Sequence, residues 1–164
     1  MDVLWSPWRY SYIKSGEENT SDAINTCVFC SILENPASDE EKFILYRAGF
    51  NFVILNIYPY ISGHLMIVPY SHKPELADLT KAESDEMMDL TKRCQSVIKE
   101  VYHPNGFNLG MNLGKAAGAG VAQHLHLHIL PRWIGDANFM TAIGQTRTIP
   151  EDLRETYEKL KGKI

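Results

Sequence analysis

Residues 123–132 read Gln-His-Leu-His-Leu-His-Ile-Leu-Pro-Arg. The 164-residue chain holds six histidines, and His124, His126 and His128 fall within this one stretch. In an extended strand, positions i, i+2 and i+4 share a face. The alternation predicts a strand over 121–130 that carries three imidazoles on one side. Leu125, Leu127 and Ile129 enter the core on the other side, and Pro131 ends the strand. An ordinary half-buried strand would expose Thr, Lys or Glu instead. Neighbouring imidazoles repel once two are protonated, so stability alone is a poor reason for this pattern. Two chemistries suit it. Neutral imidazole is the commonest metal ligand, and it is also a nucleophile that neighbouring groups can hold in one tautomer. Spacing does not choose between them.

Working outward, three strands are predicted upstream, over 43–47, 50–56 and 64–68, and another over 107–113. The segment 57–62 contains Pro59 and reads as the loop between two neighbouring strands. Residues 81–102 form the clearest helix. Thr80 and Glu83 match a capping box, and Met87, Leu90, Cys94, Val97, Ile98 and Val101 recur at helical spacing. That places Cys94 in the core. A short helix follows Cys27 and stops before Pro36. A final helix opens at Pro150, with Leu153, Tyr157 and Leu160 on one face. Two main helices and about five strands, mostly consecutive, predict an α+β fold with an antiparallel sheet.

The formal net charge of -4 carries no basic footprint for duplex nucleic acid. An anionic substrate would need a local cluster of cations and backbone amides. No apolar run approaches the roughly 20 residues of a membrane helix. Residues 1–14 lack the pattern of a signal peptide. The three cysteines, a Cys27-x-x-Cys30 pair and a lone Cys94, then favour reduced thiols or metal, with the cytoplasm as the expected compartment.

His124 to Leu130, followed by Pro131-Arg132, matches the signature His-φ-His-φ-His-φ-φ, where φ is hydrophobic. Upstream, residues 56–69 (NIYPYISGHLMIVP) resemble the second hallmark of the same group, Asn, Pro and Gly-His before an apolar strand. The chain thus resembles the histidine triad superfamily. The aromatic start LWSPWRYSYI (4–13), PRW-x-GDANFM (131–140) and the Pro150 helix resemble its bacterial diadenosine tetraphosphate phosphorylase branch. The resemblance implies a single domain over 1–164, with an aromatic-rich N-terminal arm, a sheet of about five antiparallel strands, a long helix and a C-terminal helical extension. It also implies a homodimer.

For chemistry, the resemblance implies a dinucleoside polyphosphate phosphorylase or hydrolase that cleaves at the α-phosphorus. His126 attacks and forms a covalent nucleotidyl-histidine, and water or orthophosphate then releases the nucleotide. His128 supplies a donor for the phosphoryl oxygens, His124 completes the triad, and His64 supports it from a neighbouring strand. Asn56 matches the position that holds the sugar, and Asn112 one on the α-phosphate side. Lys115 is a candidate cation for the outer phosphates. Some members bind structural zinc through a set that Cys27, Cys30, His72 and His124 complete here. Many hydrolases of the superfamily carry Gly-Gln-Ser or Gly-Gln-Thr before the triad, whereas this chain has Gly118-Ala119-Gly120-Val121. Such a loop can offer backbone N–H groups to phosphate, and the small side chains leave room for orthophosphate. Other readings are a nucleoside phosphoramidase, a metallohydrolase using all three triad histidines, and a non-catalytic nucleotide- or zinc-binding module.

Overall fold

Two consecutive strands, β2 (Asn51–Leu55) and β3 (Leu65–Pro69), are buried at every position, because both faces of the sheet are covered. The computed structural model describes residues 27–137 and 149–164. The aromatic segment 4–13, the polar stretch 15–26 and Asn138, Phe139 and Met140 lie outside them. The other strands are β1 (Ile44–Arg47), β4 (Gly106–Gly110) and β5 (Leu127–Arg132). The helices are α1 (Val28–Glu34), α2 (Lys81–Tyr102) and α3 (Leu153–Leu160). The five strands pair in the order β1-β2-β3-β5-β4, antiparallel throughout. The fold is α+β, as the pattern predicts.

Strand parity sorts the side chains into two layers. Val53, Leu55, Leu65, Ile67, Leu127 and Ile129 pack against Met87, Leu90, Cys94 and Ile98 of α2, and Tyr157 and Leu160 of α3 join them. The alternate residues Phe52, Ile54, Met66 and Val68 face the other way and meet Phe29 of α1. Full burial of such a side chain contributes about 1.5–3 kcal/mol, so the larger α2 layer is the main anchor of the sheet. Burial pushes the Cys94 thiol up to about 12, which keeps it an unreactive core group.

Helix α2 has the predicted boundaries, and the capping box is formed at Thr80 and Glu83. The Glu83 carboxylate also accepts from Lys73 Nζ at 2.8 Å and from the Ser71 hydroxyl. The bond from Lys73, then those from Ser71 and Thr80, hold Glu83 down at about 2. One carboxylate therefore caps the helix and grips both neighbours of His72.

Most strand boundaries lie within a residue of the sequence reading, with His64 just ahead of β3, and α3 begins at Leu153 rather than Pro150; β5 and β4 differ more. Strand β5 begins at Leu127, not Val121. Its pairing with β3 runs only from Leu65↔Ile129 to Ile67↔Leu127. Further on, Pro69 has no N–H to extend the ladder. The Leu125 N–H instead donates to the Lys73 carbonyl at 2.7 Å. Pro131 lies inside β5 rather than after it, opposite Phe107 of β4. Strand β3 starts at Leu65, opposite Ile129, so Pro131 interrupts no ladder on that side. Strand β4 stops at Gly110, short of Leu113.

Candidate active site and metal centre

All three triad histidines are buried, as is His64. Leu125, Leu127 and Ile129 point into the α2 layer, as the alternation predicts. The imidazoles on the other side do not form one row of equivalent groups. Hydrogen bonds divide them into two roles.

The first group is His126, His128 and His64. The Nδ1 of His126 lies 2.9 Å from the His124 carbonyl. A carbonyl only accepts, so Nδ1 carries the proton and Nε2 keeps a free lone pair. The Tyr60 N–H donates to His64 Nδ1 at 3.2 Å, which places the His64 proton on Nε2. That Nε2–H donates to His128 Nδ1 at 2.9 Å. His128 therefore carries its own proton on Nε2. Neighbours thus set three tautomers in sequence.

Burial lowers all three of these imidazoles below their ordinary value. His64 falls to about 3, chiefly by burial and then by the nearby His128 and His126. His128 falls to about 4, again mainly by burial. His126 is lowered by burial, against the opposing effect of its bond to the His124 carbonyl. Near neutral pH the site holds one unprotonated nitrogen on His126 and one N–H on His128, and their rings are 4.8 Å apart.

These groups open into a cavity of about 390 Å³. Asn56, Asn112, Gly120, His126 and His128 all line it. Its apolar wall is Val28, Phe29 and Ile32 of α1, with Ile54, Ile57 and Met66 opposite. Phe29 packs tilted on His126 at 5.1 Å. The sequence reading places a short helix here but assigns it no part in the cavity wall. The available signal was the apolar pair Phe29 and Ile32, spaced one helical turn apart inside and just after the Cys27-x-x-Cys30 motif. Tyr60 has no role in the sequence reading, yet its N–H orients His64, its ring lies 4.8 Å from that of His64, and it lines the cavity. The part played by the Pro69 carbonyl is not legible in sequence, because a backbone group leaves no mark in residue identity.

Two predicted phosphate contacts lie elsewhere. Lys115 and Gly118 belong to a tight 3-10 turn, Lys115–Ala117 with its cap, and neither lines the cavity. The turn needs glycine, since φ is +76° at Gly114 and +85° at Gly118. The N–H groups of Ala117, Gly118 and Ala119 bond to carbonyls of Gly114 and Lys115. They are therefore occupied within the loop, against the expectation that these amides cradle phosphate. Gly120 does line the cavity, and a Cβ there would meet nothing within 4 Å. The predicted room is present at that position.

The second group centres on His124. Its Nε2 donates to the Pro69 carbonyl at 2.9 Å, so Nδ1 keeps its lone pair. That Nδ1 lies 3.2 Å from Cys27 Sγ and 3.7 Å from Cys30 Sγ. Cys30 Sγ lies 3.4 Å from His72 Nδ1. All four ligand atoms fall within 4.8 Å of one another. A tetrahedral zinc site with ordinary bond lengths separates S and N by about 3.6 Å. The donor set fits zinc in chemistry and spacing. Burial and the adjacent Cys27 raise the Cys30 thiol in the absence of a cation, so metal binding would release protons. His126 and His128 stand outside this cluster. The triad thus divides between two centres, and the geometry gives no support to a single metal held by all three histidines.

Among the described residues, no helix is long and apolar enough to cross a membrane. Comparison with known proteins agrees with the geometry. The chain is 46% identical over 160 residues to an AP-4-A phosphorylase of Mycobacterium tuberculosis, covering 96% of this chain and 81% of that protein. It is 33% identical over 89 residues to an asymmetrical bis(5'-nucleosyl)-tetraphosphatase of Schizosaccharomyces pombe, covering 54% and 48%. The crystal structure of a Zn-bound histidine triad family protein from Mycobacterium smegmatis aligns with a TM-score of 0.68 at 31% identity, covering 84% of this chain and 92% of that one. The family model described as HIT domain matches residues 37–133, from ahead of β1 to just past β5, and so spans both His64, just ahead of β3, and the triad. By motif, sheet order, triad geometry and these matches, the chain belongs to the HIT domain family.

Proposed function

We propose that this protein cleaves dinucleoside polyphosphates such as diadenosine tetraphosphate, as a phosphorylase or hydrolase, through a nucleotidyl group carried on His126. The observation that carries this reading is the tautomer of His126, whose bond to the His124 carbonyl turns a free Nε2 lone pair into the cavity. Nε2 attacks the α-phosphorus, an N–P bond forms and the bond to the bridging oxygen breaks. The polyphosphate leaves as a weakly basic anion, which is ATP when the substrate is diadenosine tetraphosphate. Positive charge appearing on His126 strengthens its Nδ1–H bond to the carbonyl. The His128 Nε2–H faces the negative charge on the phosphoryl oxygens. His64 keeps that proton in place. An oxygen of orthophosphate or water then displaces Nε2, giving ADP or AMP.

Asn56 and Asn112 are assigned to the sugar and to the α-phosphate side, and the apolar wall to the base. The open space at Gly120 supports orthophosphate as the second acceptor. Lys115 keeps only the role of a distant cation. A homodimer belongs to the same reading, supported by β4, an edge strand with exposed Leu109. A cytoplasmic setting is supported by the cysteine pattern, a pair placed with two histidines as metal ligands and a lone buried thiol, and a partner set without nucleic acid by the charge of -4.

The test is product analysis of diadenosine tetraphosphate turnover with and without orthophosphate. ADP plus ATP, formed only with orthophosphate, is the expected result. AMP plus ATP in both conditions would keep the histidine chemistry and overturn the acceptor role of the Gly120 space. No turnover of either kind would remove the enzyme reading. The pH profile adds a second check. Because burial lowers His126, the acid limb of kcat/KM reaches its half-maximal point below 6.5, where an exposed imidazole would be half protonated. A half-maximal point at or above 6.5 would contradict the buried, neutral nucleophile.

A further inference from the structure

Helix α1 is short, seven residues, and no side chain caps its N-terminus. Isolated helices of that length are not stable in water, so its position depends on what it touches. Cys27 and Cys30 hold one side of it against His72 and His124. Phe29 and Ile32, two positions further along, lie about 200° around the helix axis at 100° per residue, and they line the cavity. The metal ligands and the wall of the cavity are thus opposite faces of the same two turns. A second connection runs through His124, whose ring joins the ligand set while its carbonyl orients His126. Phe29 closes the loop, with its ring 5.4 Å from His124 and 5.1 Å from His126.

We infer that metal binding at Cys27, Cys30, His72 and His124 and nucleotide binding in the cavity are one coupled equilibrium, transmitted by α1. This rests on the cavity being the nucleoside site. With the four ligands joined, α1 presents Val28, Phe29 and Ile32 as a fixed wall. Without the joint, the contacts that secure that side of the helix among the described residues are sulfur–nitrogen approaches of 3.2–3.7 Å, and the wall must be ordered again when a base enters. A nucleotide that orders the wall also brings both thiols to their ligand positions. Linkage makes the two effects equal. The cysteine pair is therefore a positioning device for the substrate wall as well as a staple.

The experiment uses the full chain loaded with zinc and AMP as the probe. Zinc is drawn off with a chromophoric chelator in the absence of nucleotide and with saturating AMP. Ribose 5-phosphate, which lacks the base, is run at matched saturation. AMP affinity is also measured by calorimetry before and after stripping. The coupling predicts that AMP tightens zinc about tenfold and that stripping weakens AMP by the same factor, while ribose 5-phosphate shifts zinc far less. An unchanged zinc affinity with AMP, or equal protection by AMP and ribose 5-phosphate, overturns it, because the site then reports global stability only. Failure of the zinc-loaded chain to bind AMP is a separate outcome that overturns the nucleotide reading and this inference with it. The extraction arm uses only folded, loaded protein, so unfolding of the stripped chain does not obscure the answer.

Discussion

His126→Ala lowers turnover of diadenosine tetraphosphate by on the order of 10⁵-fold, the scale on which enzymes lose rate when a covalent nucleophile is removed. No neighbour can replace it. The Nδ1 of His128 is engaged by His64 and its Nε2 carries a proton, and the Nδ1 of His124 faces the cysteines. Binding follows a different course. The base wall and Asn56 remain, so AMP affinity changes by only about a few fold, as expected for an interaction used mainly in the transition state. His126 is buried against Phe29 but borders the cavity, so its truncation enlarges existing space and the fold survives. Two measurements check this. One is steady-state turnover against AMP calorimetry on the same preparation. The other is mass spectrometry of acid-labile nucleotidyl label after brief exposure to substrate, present on the wild-type chain and absent from the variant. Label on a residue other than His126, or a variant retaining a tenth of the rate (about 1.4 kcal/mol of barrier), would sink the assignment.

Acid destabilises this protein sharply, and the buried histidines are the cause. His64 is held near 3 and His128 near 4, both mainly by burial, against about 6.5 in an unfolded chain. A depressed imidazole stays neutral in the folded state while its unfolded counterpart takes up a proton. Its contribution is complete above pH 6.5 and is lost as pH falls, until the native group itself protonates near 3 to 4. Each pH unit in that window costs about 1.4 kcal/mol per histidine. From 6.5 down to about 4.5 the two together remove about 5 kcal/mol, comparable with the whole stability of many domains. The measurement is urea unfolding near pH 7 and near pH 4.5, on the wild type and on His64→Asn. Asn keeps an acceptor for the Tyr60 N–H and leaves all four metal ligands in place, so proton-driven metal release affects both chains alike. The variant is expected to lose about 2.7 kcal/mol less than the wild type over that interval. An equal loss in both would show that His64 is not a buried neutral imidazole.

The triad reading survived because strand parity is a local rule. Alternation at 124–129 already sends Leu125, Leu127 and Ile129 one way and the imidazoles the other, and the α2 layer receives them as predicted. Helix α2 was legible for a similar reason, since its cap residues and apolar stripe sit within the helix they define. The ligand set Cys27, Cys30, His72 and His124 came from family resemblance, and the structure brings the four atoms together from three separate parts of the chain.

What the sequence could not assign depends on partners distant along the chain. The end of β5 at Leu127 follows from Pro69 and from the Lys73 carbonyl, neither of which lies near the triad in sequence. The tautomers follow from carbonyls and amides at His124, Tyr60 and Pro69, and backbone groups leave no mark in residue identity. The occupied amides of the Gly118 turn answer to loop geometry, where composition alone suggested an open phosphate cradle. The sequence by itself determined the chemistry present, an alternating run of histidines, a further histidine ahead of an apolar strand, and a cysteine pair. The tertiary structure alone decided how three similar imidazoles divide: His124 turns Nδ1 to the cysteines, His126 keeps a free Nε2 toward the cavity, and His128 carries its proton on Nε2. The reason is that an imidazole's role is set by which of its two nitrogens a neighbour occupies, and those neighbours arrive only when the chain folds.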